Sequence, residues 1–248
     1  MPKAFASDFD KTLFFWGEGM DGYISPEDLE SIAAFQAAGN LFGVATGRSL
    51  KGITMQIGDL IPFDFFIMAT GALVLDGDQR VIARHCVDAA LMEELNAAYE
   101  PSGAMIIFHG NDTVYSLGEP GPMQTHVDSV ADIGPNLYGM SMFVGSEERA
   151  VEVAAEINGA YGGLVSAFPN SRIIDIAPAG CSKGRAVAFV KEHFGVEAIA
   201  AMGDSFNDAP MFESADVSFT FNASPEAVRA SADHLVDSVA DALRVFCG

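Results

Sequence analysis

The sequence contains little cysteine and little positive charge. Its 248 residues include three cysteines, and 13 lysine and arginine residues stand against 34 aspartate and glutamate residues. The formal net charge of −21 disfavours binding to nucleic acid and to anionic membrane surfaces. The same charge repels a phosphorylated substrate at long range, so such a ligand requires a local cationic site made by a metal or by a few basic groups.

The three cysteines, Cys86, Cys181 and Cys247, lie far apart, and no CxxC spacing occurs. The sequence therefore indicates neither a disulfide framework nor a zinc site. Apolar runs reach only the length of a strand, and the first residues show no cationic-then-apolar signal pattern. We expect a cytoplasmic protein with reduced thiols and no membrane partner, and the sequence leaves its oligomeric state open.

Strand and helix signals alternate in the first and last thirds of the chain. Apolar runs at 4–7, 41–45, 63–69, 198–202 and 217–221 predict strands buried on both faces, as in a parallel sheet. Ser25 and Ser182 each stand where a helix N-cap is expected, and Gly39 and Gly195 stand where those helices should end. Further helix starts are predicted at 224–226 and 238.

The middle of the chain, about 83–177, combines helices with pairs of strands. Helices are predicted at 89–99 and 146–158, with a short one near 123–127. Strands are predicted at 105–109, 114–117, 138–144, 164–168 and 172–176, the first two joined as a hairpin through Asn111-Asp112. The chain is thus predicted to be an α/β protein. Residues 1–82 and 178–248 form a Rossmann-like parallel-sheet core, and 83–177 form an inserted α+β cap domain.

Acidic residues follow the first strand, in Asp8-Phe9-Asp10-Lys11-Thr12. Carboxylates at i and i+2 leaving a strand can point the same way, and with Asp204 they would hold a hard cation such as Mg²⁺. One carboxylate can attack phosphorus, and the other can protonate the leaving oxygen and later deprotonate water. Taken alone, this DxD pattern also fits solvated acids at the end of a strand.

Three further segments add to this chemistry. Thr46-Gly47-Arg48 offers a hydroxyl and backbone N–H groups for phosphate, or a simple helix cap. Lys183 opposes the dipole of the helix it begins, which indicates either a functional residue or a solvated surface lysine. The segment 203–208 places Asp204 and Asp208 in one turn, where a cation would relieve their repulsion; the alternative is an ordinary turn.

Together these segments resemble the four motifs of the haloacid-dehalogenase-like (HAD) superfamily, and the insert resembles the cap of the Cof-type subgroup. That subgroup includes sugar phosphatases, sucrose-phosphate phosphatase and phosphomannomutases. The resemblance implies that Asp8 is the nucleophile and a Mg²⁺ ligand. It implies that Asp10 is the general acid/base, with its backbone carbonyl on the metal, and that Thr46 and Lys183 bind the phosphoryl group.

By the same resemblance Asp204 ligates Mg²⁺, Asp208 supports the metal shell and Asn207 faces the phosphate. We add Thr12, Gly47 and Arg48 to the residues expected to bind substrate or phosphate. The chain departs from the family where many relatives have Gly at Lys11 and Asn at Thr70, and in its aromatic segment 14–16. That segment is expected to pack against the core or cap, or else to form one wall of the substrate pocket.

These expectations favour a Mg²⁺-dependent phosphomonoesterase that acts through an aspartyl phosphate on a small metabolite, such as a sugar phosphate. A phosphomutase or phosphotransferase, and a phospho-accepting signalling domain, are the alternatives. His85, His109 and His126 lie in the insert without ligand spacing and are expected to be structural or surface residues. His109 is the one to test for substrate contact.

Overall fold

A computed structural model describes residues 1–17, 22–121 and 123–248. The strands among these residues are β1 (Ala4–Ser7), β2 (Phe15–Trp16), β3 (Gly22–Tyr23), β4 (Leu41–Ala45), β5 (Phe65–Met68), β6 (Leu73–Asp76), β7 (Val81–Arg84), β8 (Met105–Gly110), β9 (Thr113–Ser116), β10 (Gln124–His126), β11 (Leu137–Phe143), β12 (Val165–Asn170), β13 (Ile173–Pro178), β14 (Ile199–Met202), β15 (Val217–Phe221) and β16 (His234–Val236). The α-helices are α1 (Pro26–Ala37), α2 (Leu50–Ile57), α3 (Ala89–Tyr99), α4 (Glu147–Tyr161), α5 (Lys183–Phe194), α6 (Ala209–Ser214), α7 (Glu226–Arg229) and α8 (Val239–Cys247).

The larger sheet has the strand order β16-β15-β14-β1-β4-β5-β6-β7. The pairings from β16 to β5 are parallel, and β6 and β7 join antiparallel at one edge. Every residue of β1, β5 and β14 is buried, as expected of strands covered on both faces. This sheet confirms the predicted parallel-sheet core.

Helices cover both faces of the core sheet. On one face, Phe246 of α8 packs against Phe5 of β1 and Phe35 of α1. On the other face, α5 and α6 place Val187 and Met211 in a second apolar cluster. The burial of these side chains on both faces provides the main driving force for assembling the core.

The N-caps predicted at Ser25 and Ser182 are confirmed by the structure. Ser25 and Ser182 both accept a hydrogen bond from the backbone N–H three residues later. Gly39 and Gly195 follow α1 and α5 with φ of 84° and 62°, a conformation that glycine adopts without strain. The helix predicted at 224–226 forms only one turn, α7.

The smaller sheet has the strand order β10-β9-β8-β11-β13-β12 and lies in the insert. Its pairings are antiparallel except for β10 with β9. Helices α3 and α4 pack on one face through an apolar cluster that includes Leu95 and Val153. The pairing of β8 with β9 confirms the hairpin through Asn111-Asp112.

The prediction of a short helix near 123–127 is wrong. Residues Gln124–His126 form β10, which pairs in parallel with Val114 to Ser116 of β9. A helix this short gains few hydrogen bonds for the cost of its first turn, whereas the neighbouring strand supplies partners at once. A single 3₁₀ turn follows instead at Val130–Ile133.

Both predicted domain junctions fall inside strands. The junction after residue 82 interrupts β7, whose Ala83 and Arg84 still pair with β6 of the core sheet. The junction after residue 177 falls one residue before the end of β13. We therefore propose that the cap comprises residues 85–178. None of the helices in the described parts of the chain has the length and hydrophobicity needed to cross a bilayer.

Candidate active site

The carboxyl ends of neighbouring core strands carry the predicted site residues. Asp8 follows β1 directly, Thr46 follows β4, and Asp204 lies two residues beyond β14. Because β1 lies between β14 and β4, these ends are adjacent. A cavity of about 460 Å³ opens here between the core and the cap sheet, on the face of that sheet opposite its helices.

Lys183, the first residue of α5, is buried at the floor of this cavity, with a relative exposure of 2%. Its Nζ lies 2.7 Å from Oδ1 of Asp8 and 2.7 Å from Oδ1 of Asp208. Burial alone would lower the pKa of Lys183, but the charges of Asp208 and Asp8 outweigh it and raise the pKa. The ammonium group therefore stays charged, and the alternative of a solvated surface lysine is wrong.

Carboxylate oxygens of Asp8, Asp204 and Asp208 lie within 4.8 Å of one another. Burial, followed by the charge of Asp208, raises the pKa of Asp204 to about 6. Burial also raises the pKa of Asp8 well above its usual range, although Lys183 acts in the opposite direction. A single lysine thus leaves negative charge uncompensated, which a divalent cation would neutralise.

Asp208 shapes the turn that presents Asp204. Its Oδ2 accepts hydrogen bonds from the backbone N–H groups of Asp204 and Ser205, both at 3.1 Å. At Gly203 any β-carbon would collide with the Asp208 carboxyl group, so glycine is required for this close approach. Because its oxygens are engaged by Lys183 and by the turn, Asp208 has less capacity for a metal than Asp8 or Asp204.

The carboxylate of Asp10 does not join this acidic group. Its two oxygens each lie 2.7 Å from a nitrogen of Arg48, in a bidentate ion pair. Asp8 and Asp10 both line the cavity, as expected of carboxylates that point the same way, but the Asp10 carboxylate is engaged by Arg48. The predicted metal contact of Asp10, through its backbone carbonyl, stays a prediction.

Arg48 lies against the rings of Phe9 and Trp16, with its guanidinium carbon 5.3 and 5.5 Å from their centroids. It also donates to the carbonyl oxygen of Gly52. Three of its five N–H donors are engaged by Asp10 and Gly52, which leaves two for a phosphoryl group. Arg48 can therefore hold Asp10 and bind an anion at the same time.

The remaining predicted phosphate-binding residues lie at the same floor or directly behind it. Thr46 is buried and its Oγ1 accepts a hydrogen bond from the backbone of Arg48, while Gly47 lines the cavity. Thr12 is buried and its Oγ1 donates to Oδ1 of Asp204 at 3.5 Å. Asn207 also lines the cavity. Thr12 thus lies behind the acidic group, and its predicted contact with phosphate stays a prediction.

Two departures from the family pattern occupy unusual backbone conformations. Lys11 has a φ of 62°, which explains why glycine suits that position in many relatives. Its side chain is exposed and lines the cavity. Thr70 has a φ of 57° and is buried outside the residues that line the cavity, so it offers no direct contact there.

The aromatic segment packs against the core. Phe14 is buried and stacks on Phe9 with ring centroids 5.1 Å apart. Phe15 and Trp16 form β2, and the Trp16 indole donates to Asp10 at 3.3 Å. None of the three residues lines the cavity. The structure therefore confirms that the segment packs against the core and does not form a wall of the substrate pocket.

Polar residues of the cap form the side of the cavity that the sequence did not predict. His109, Ser141, Asp175 and Asn170 all line it from strands of the cap sheet. Of these only His109 was expected as a possible substrate contact. A signal did exist, because Ser141 and Asp175 are single polar residues inside otherwise apolar strands.

The other two histidines of the insert, His85 and His126, are exposed and do not line the cavity, as expected of surface residues.

Comparisons with known proteins identify the family of this chain. The family of haloacid dehalogenase-like hydrolases matches residues 5–242. An HMP-PP phosphatase of Citrobacter koseri is 25% identical, over 86% of this chain and 82% of its own length. The 5-amino-6-(5-phospho-D-ribitylamino)uracil phosphatase YwtE of Bacillus subtilis is 28% identical, over 85% of this chain and 84% of its own length.

Solved structures share the whole fold. The phosphatase BT1666 of Bacteroides thetaiotaomicron superposes with a TM-score of 0.81 at 21% identity, covering 100% of this chain and 96% of that one. The HAD subclass IIB sugar phosphatase BT4131 gives a TM-score of 0.79 at 22% identity, covering 99% of both chains. At these identities the likeness establishes the fold, and the family match extends over nearly all of the chain. The protein is therefore a phosphatase that belongs to the haloacid dehalogenase-like hydrolases.

Proposed function

We propose that this phosphatase is a Mg²⁺-dependent phosphomonoesterase that removes phosphate from a small metabolite through a phosphorylated Asp8. One observation carries the proposal: the Asp8 carboxylate lies at the floor of the cavity, between the Lys183 ammonium group and the turn that holds Asp204. A buried carboxylate beside a cation and two further acids is arranged to bind a metal and a phosphoryl group together.

The donor set suits Mg²⁺. Asp8 and Asp204 supply hard oxygen ligands near one another, and Mg²⁺ prefers one or two carboxylates together with phosphate and water. Asp8 and Asp204 would hold the ion, while Asp208 holds the turn in place. When bound, the ion supplies positive charge that neutralises the carboxylates and the phosphoryl oxygens.

The chain's own residues account for both chemical steps. An oxygen of Asp8 attacks phosphorus, the new O–P bond forms, and the ester P–O bond breaks as the leaving alcohol takes a proton from Asp10. For this step Asp10 must be protonated and released from its ion pair with Arg48. In the second step Asp10 accepts a proton from water, whose oxygen attacks phosphorus and releases Asp8 and inorganic phosphate. Lys183, Thr46 and the backbone at Gly47 would bind the phosphoryl oxygens throughout.

The cavity supports a small substrate. A volume of about 460 Å³ lies within the range of ordinary ligand pockets, and the cap closes one side of it. The two relatives above are named for small phosphorylated metabolites, which supports the same class here. We propose a sugar phosphate as the type of substrate.

A phosphate-release assay tests the proposal. The protein is incubated with Mg²⁺ and a panel of sugar phosphates, nucleotides and pyridoxal phosphate, with Asp8→Asn as the negative control. We expect inorganic phosphate from at least one ester with the native chain and none with the variant. Equal release by both proteins would show that Asp8 is not the nucleophile.

The same assay distinguishes the alternative reactions. A phosphomutase would interconvert phosphate isomers without releasing phosphate. A signalling domain would keep the phosphorylated Asp8 for much longer than seconds, because it must not activate water. In H₂¹⁸O, we expect each released phosphate to carry one ¹⁸O atom under single-turnover conditions, as hydrolysis of an aspartyl phosphate at phosphorus requires.

A further inference from the structure

A chain of three buried polar residues crosses the cap sheet on the side that faces the core. Nε2 of His109 lies 2.7 Å from Oγ of Ser141, and that hydroxyl donates to Oδ1 of Asp175 at 2.6 Å. Ser141 and Asp175 are direct cross-strand partners on β11 and β13. All three residues are more than nine-tenths buried, and all three line the cavity.

The direction of these hydrogen bonds follows from Asp175, the last residue of the series. A carboxylate only accepts, so the single proton of Ser141 goes to Asp175, and the Ser141 oxygen accepts from Nε2–H of His109. Burial lowers the pKa of His109, although the charge of Asp175 acts in the opposite direction. Burial thus favours the neutral imidazole, and in a neutral ring whose Nε2–H donates to Ser141, Nδ1 is an acceptor. Ser141 is held as a bridge and is not activated as a nucleophile.

His109 and Asp175, at the two ends of this hydrogen-bonded series, each retain unused acceptor capacity. Nδ1 of His109 is buried and has no hydrogen-bond partner among the described residues. Asp175 forms no salt bridge within the described ranges, and it accepts only from Ser141 and, at 3.3 Å, from Asn170. A buried acceptor without a hydrogen-bond donor lowers the stability of the folded protein. A ligand that satisfies these acceptors must bring hydrogen-bond donors.

Asp175 also lies close to the proposed phosphoryl site. Its carboxylate would be 3.6 to 3.8 Å from a β-carbon placed on Gly47, in the loop that would bind phosphate. A donor within a few bonds of a phosphate ester held at Gly47 would therefore lie within reach of the Asp175 carboxylate. The neighbouring cap residues Ile107, Val114 and Ile173 are apolar, whereas Gln124, Asn170 and Ser171 are further polar residues of the cap that line the cavity.

We propose that Asp175 is the specificity-determining residue of the cap, and that it accepts a hydrogen bond from a hydroxyl next to the phosphoester of a polyhydroxylated substrate. His109 and Ser141 are positioning residues that orient its carboxylate. The inference rests on the proposed phosphomonoesterase function and extends it to the substrate's alcohol.

Two esters that differ only in hydroxyl groups test the inference. Glycerol 1-phosphate carries a hydroxyl on the carbon next to the ester, and n-propyl phosphate has the same carbon chain without hydroxyls. The quantity measured is the ratio of kcat/KM for glycerol 1-phosphate to kcat/KM for n-propyl phosphate. We expect a ratio well above one for the native chain and a fall of about tenfold or more in Asp175→Asn, as the loss of a hydrogen bond to a charged group predicts.

A matched control is Asp128→Asn, the same substitution in the cap at a side chain that is 98% exposed. It should leave the ratio unchanged. If Asp175→Asn does not unfold cooperatively, Ser141→Ala replaces it, with an expected fall in the ratio of about threefold from the lost hydroxyl donor.

The outcomes separate this inference from the proposed function. A native ratio near one, or a variant that loses activity equally on both esters, would overturn the role of Asp175 while the phosphatase proposal stands. If the native chain with Mg²⁺ released phosphate from neither ester nor from any member of the panel, the proposed function would fail and the inference with it.

Discussion

Lys183 Nζ lies 2.7 Å from Oδ1 of Asp8, although 175 residues separate the two along the chain. Lys183 is held in turn by Asp208, so the attacking carboxylate is positioned by a cation that is itself fixed. This geometry makes the charge of each partner depend on the other, and it links activity to stability.

Asp8→Asn should abolish turnover without unfolding the protein. We expect activity to fall by on the order of 10⁴-fold or more, because an amide cannot replace the carboxylate as nucleophile. Burial raises the pKa of Asp8, so its charged form is costly in the folded state, and the neutral amide should leave the melting temperature equal or higher. Phosphate release and thermal unfolding by circular dichroism measure the two effects. Substantial residual turnover would mean that another group attacks phosphorus.

Removal of divalent cations should stop phosphate release, and Mg²⁺ should restore it. In Asp204→Asn we expect a Mg²⁺ concentration for half-maximal activity at least about tenfold higher, because one of the carboxylate ligands is lost. Asp59→Asn, on the exposed surface beyond α2, is the control and should titrate like the native chain. Full activity in excess EDTA would rule out the metal.

Lys183→Met should destabilise the protein strongly. It leaves Asp8 and Asp208 buried beside each other without their shared cation, and loss of one partner of a buried ion pair costs about 3–5 kcal/mol. The double variant Lys183→Met with Asp208→Asn should recover part of this loss, since one buried charge is removed. Urea unfolding monitored by fluorescence gives both values. A single variant within about 1 kcal/mol of the native stability would contradict the role assigned to this lysine.

Replacement of glycine by alanine should change the stability of the protein in opposite directions at two helical positions. In α5, a β-carbon at Gly184 would collide with the carbonyl oxygen of Pro210 in α6, so Gly184→Ala should destabilise the protein. In α4, Gly159 has open space around it, and Gly159→Ala should stabilise by about 0.5–1 kcal/mol. Melting temperatures of the two variants provide the comparison. A loss of stability at both positions would show that helix propensity does not govern Gly159.

The positions of the site residues could be predicted because each follows a buried strand or starts a helix. Asp8, Thr46 and Asp204 lie at strand ends, and a parallel sheet brings such ends to one edge whatever their separation in sequence. Their side-chain partners were harder to predict. Asp10 pairs with Arg48, which is 38 residues away along the chain, and residue spacing does not encode such a contact.

The cap was predicted least well where its structure depends on how its strands pair with one another. Residues Gln124–His126 carry no strong pattern of their own and become a strand only because β9 offers a free edge. The line of His109, Ser141 and Asp175 forms across three strands, so it appears only when the register of the cap sheet is known.

The position of β1 between β4 and β14 governs how the chain can assemble during synthesis. The cap sheet forms from one contiguous stretch of the chain. In contrast, β1 pairs with β14, which is synthesised almost two hundred residues later. A nascent chain therefore reaches the end of β13 with its cap residues complete and with β1 paired to β4 along one edge only, the other edge being open. We expect such ribosome-bound intermediates to bind chaperones that recognise exposed strand edges, until α5 and β14 leave the exit tunnel and complete the sheet.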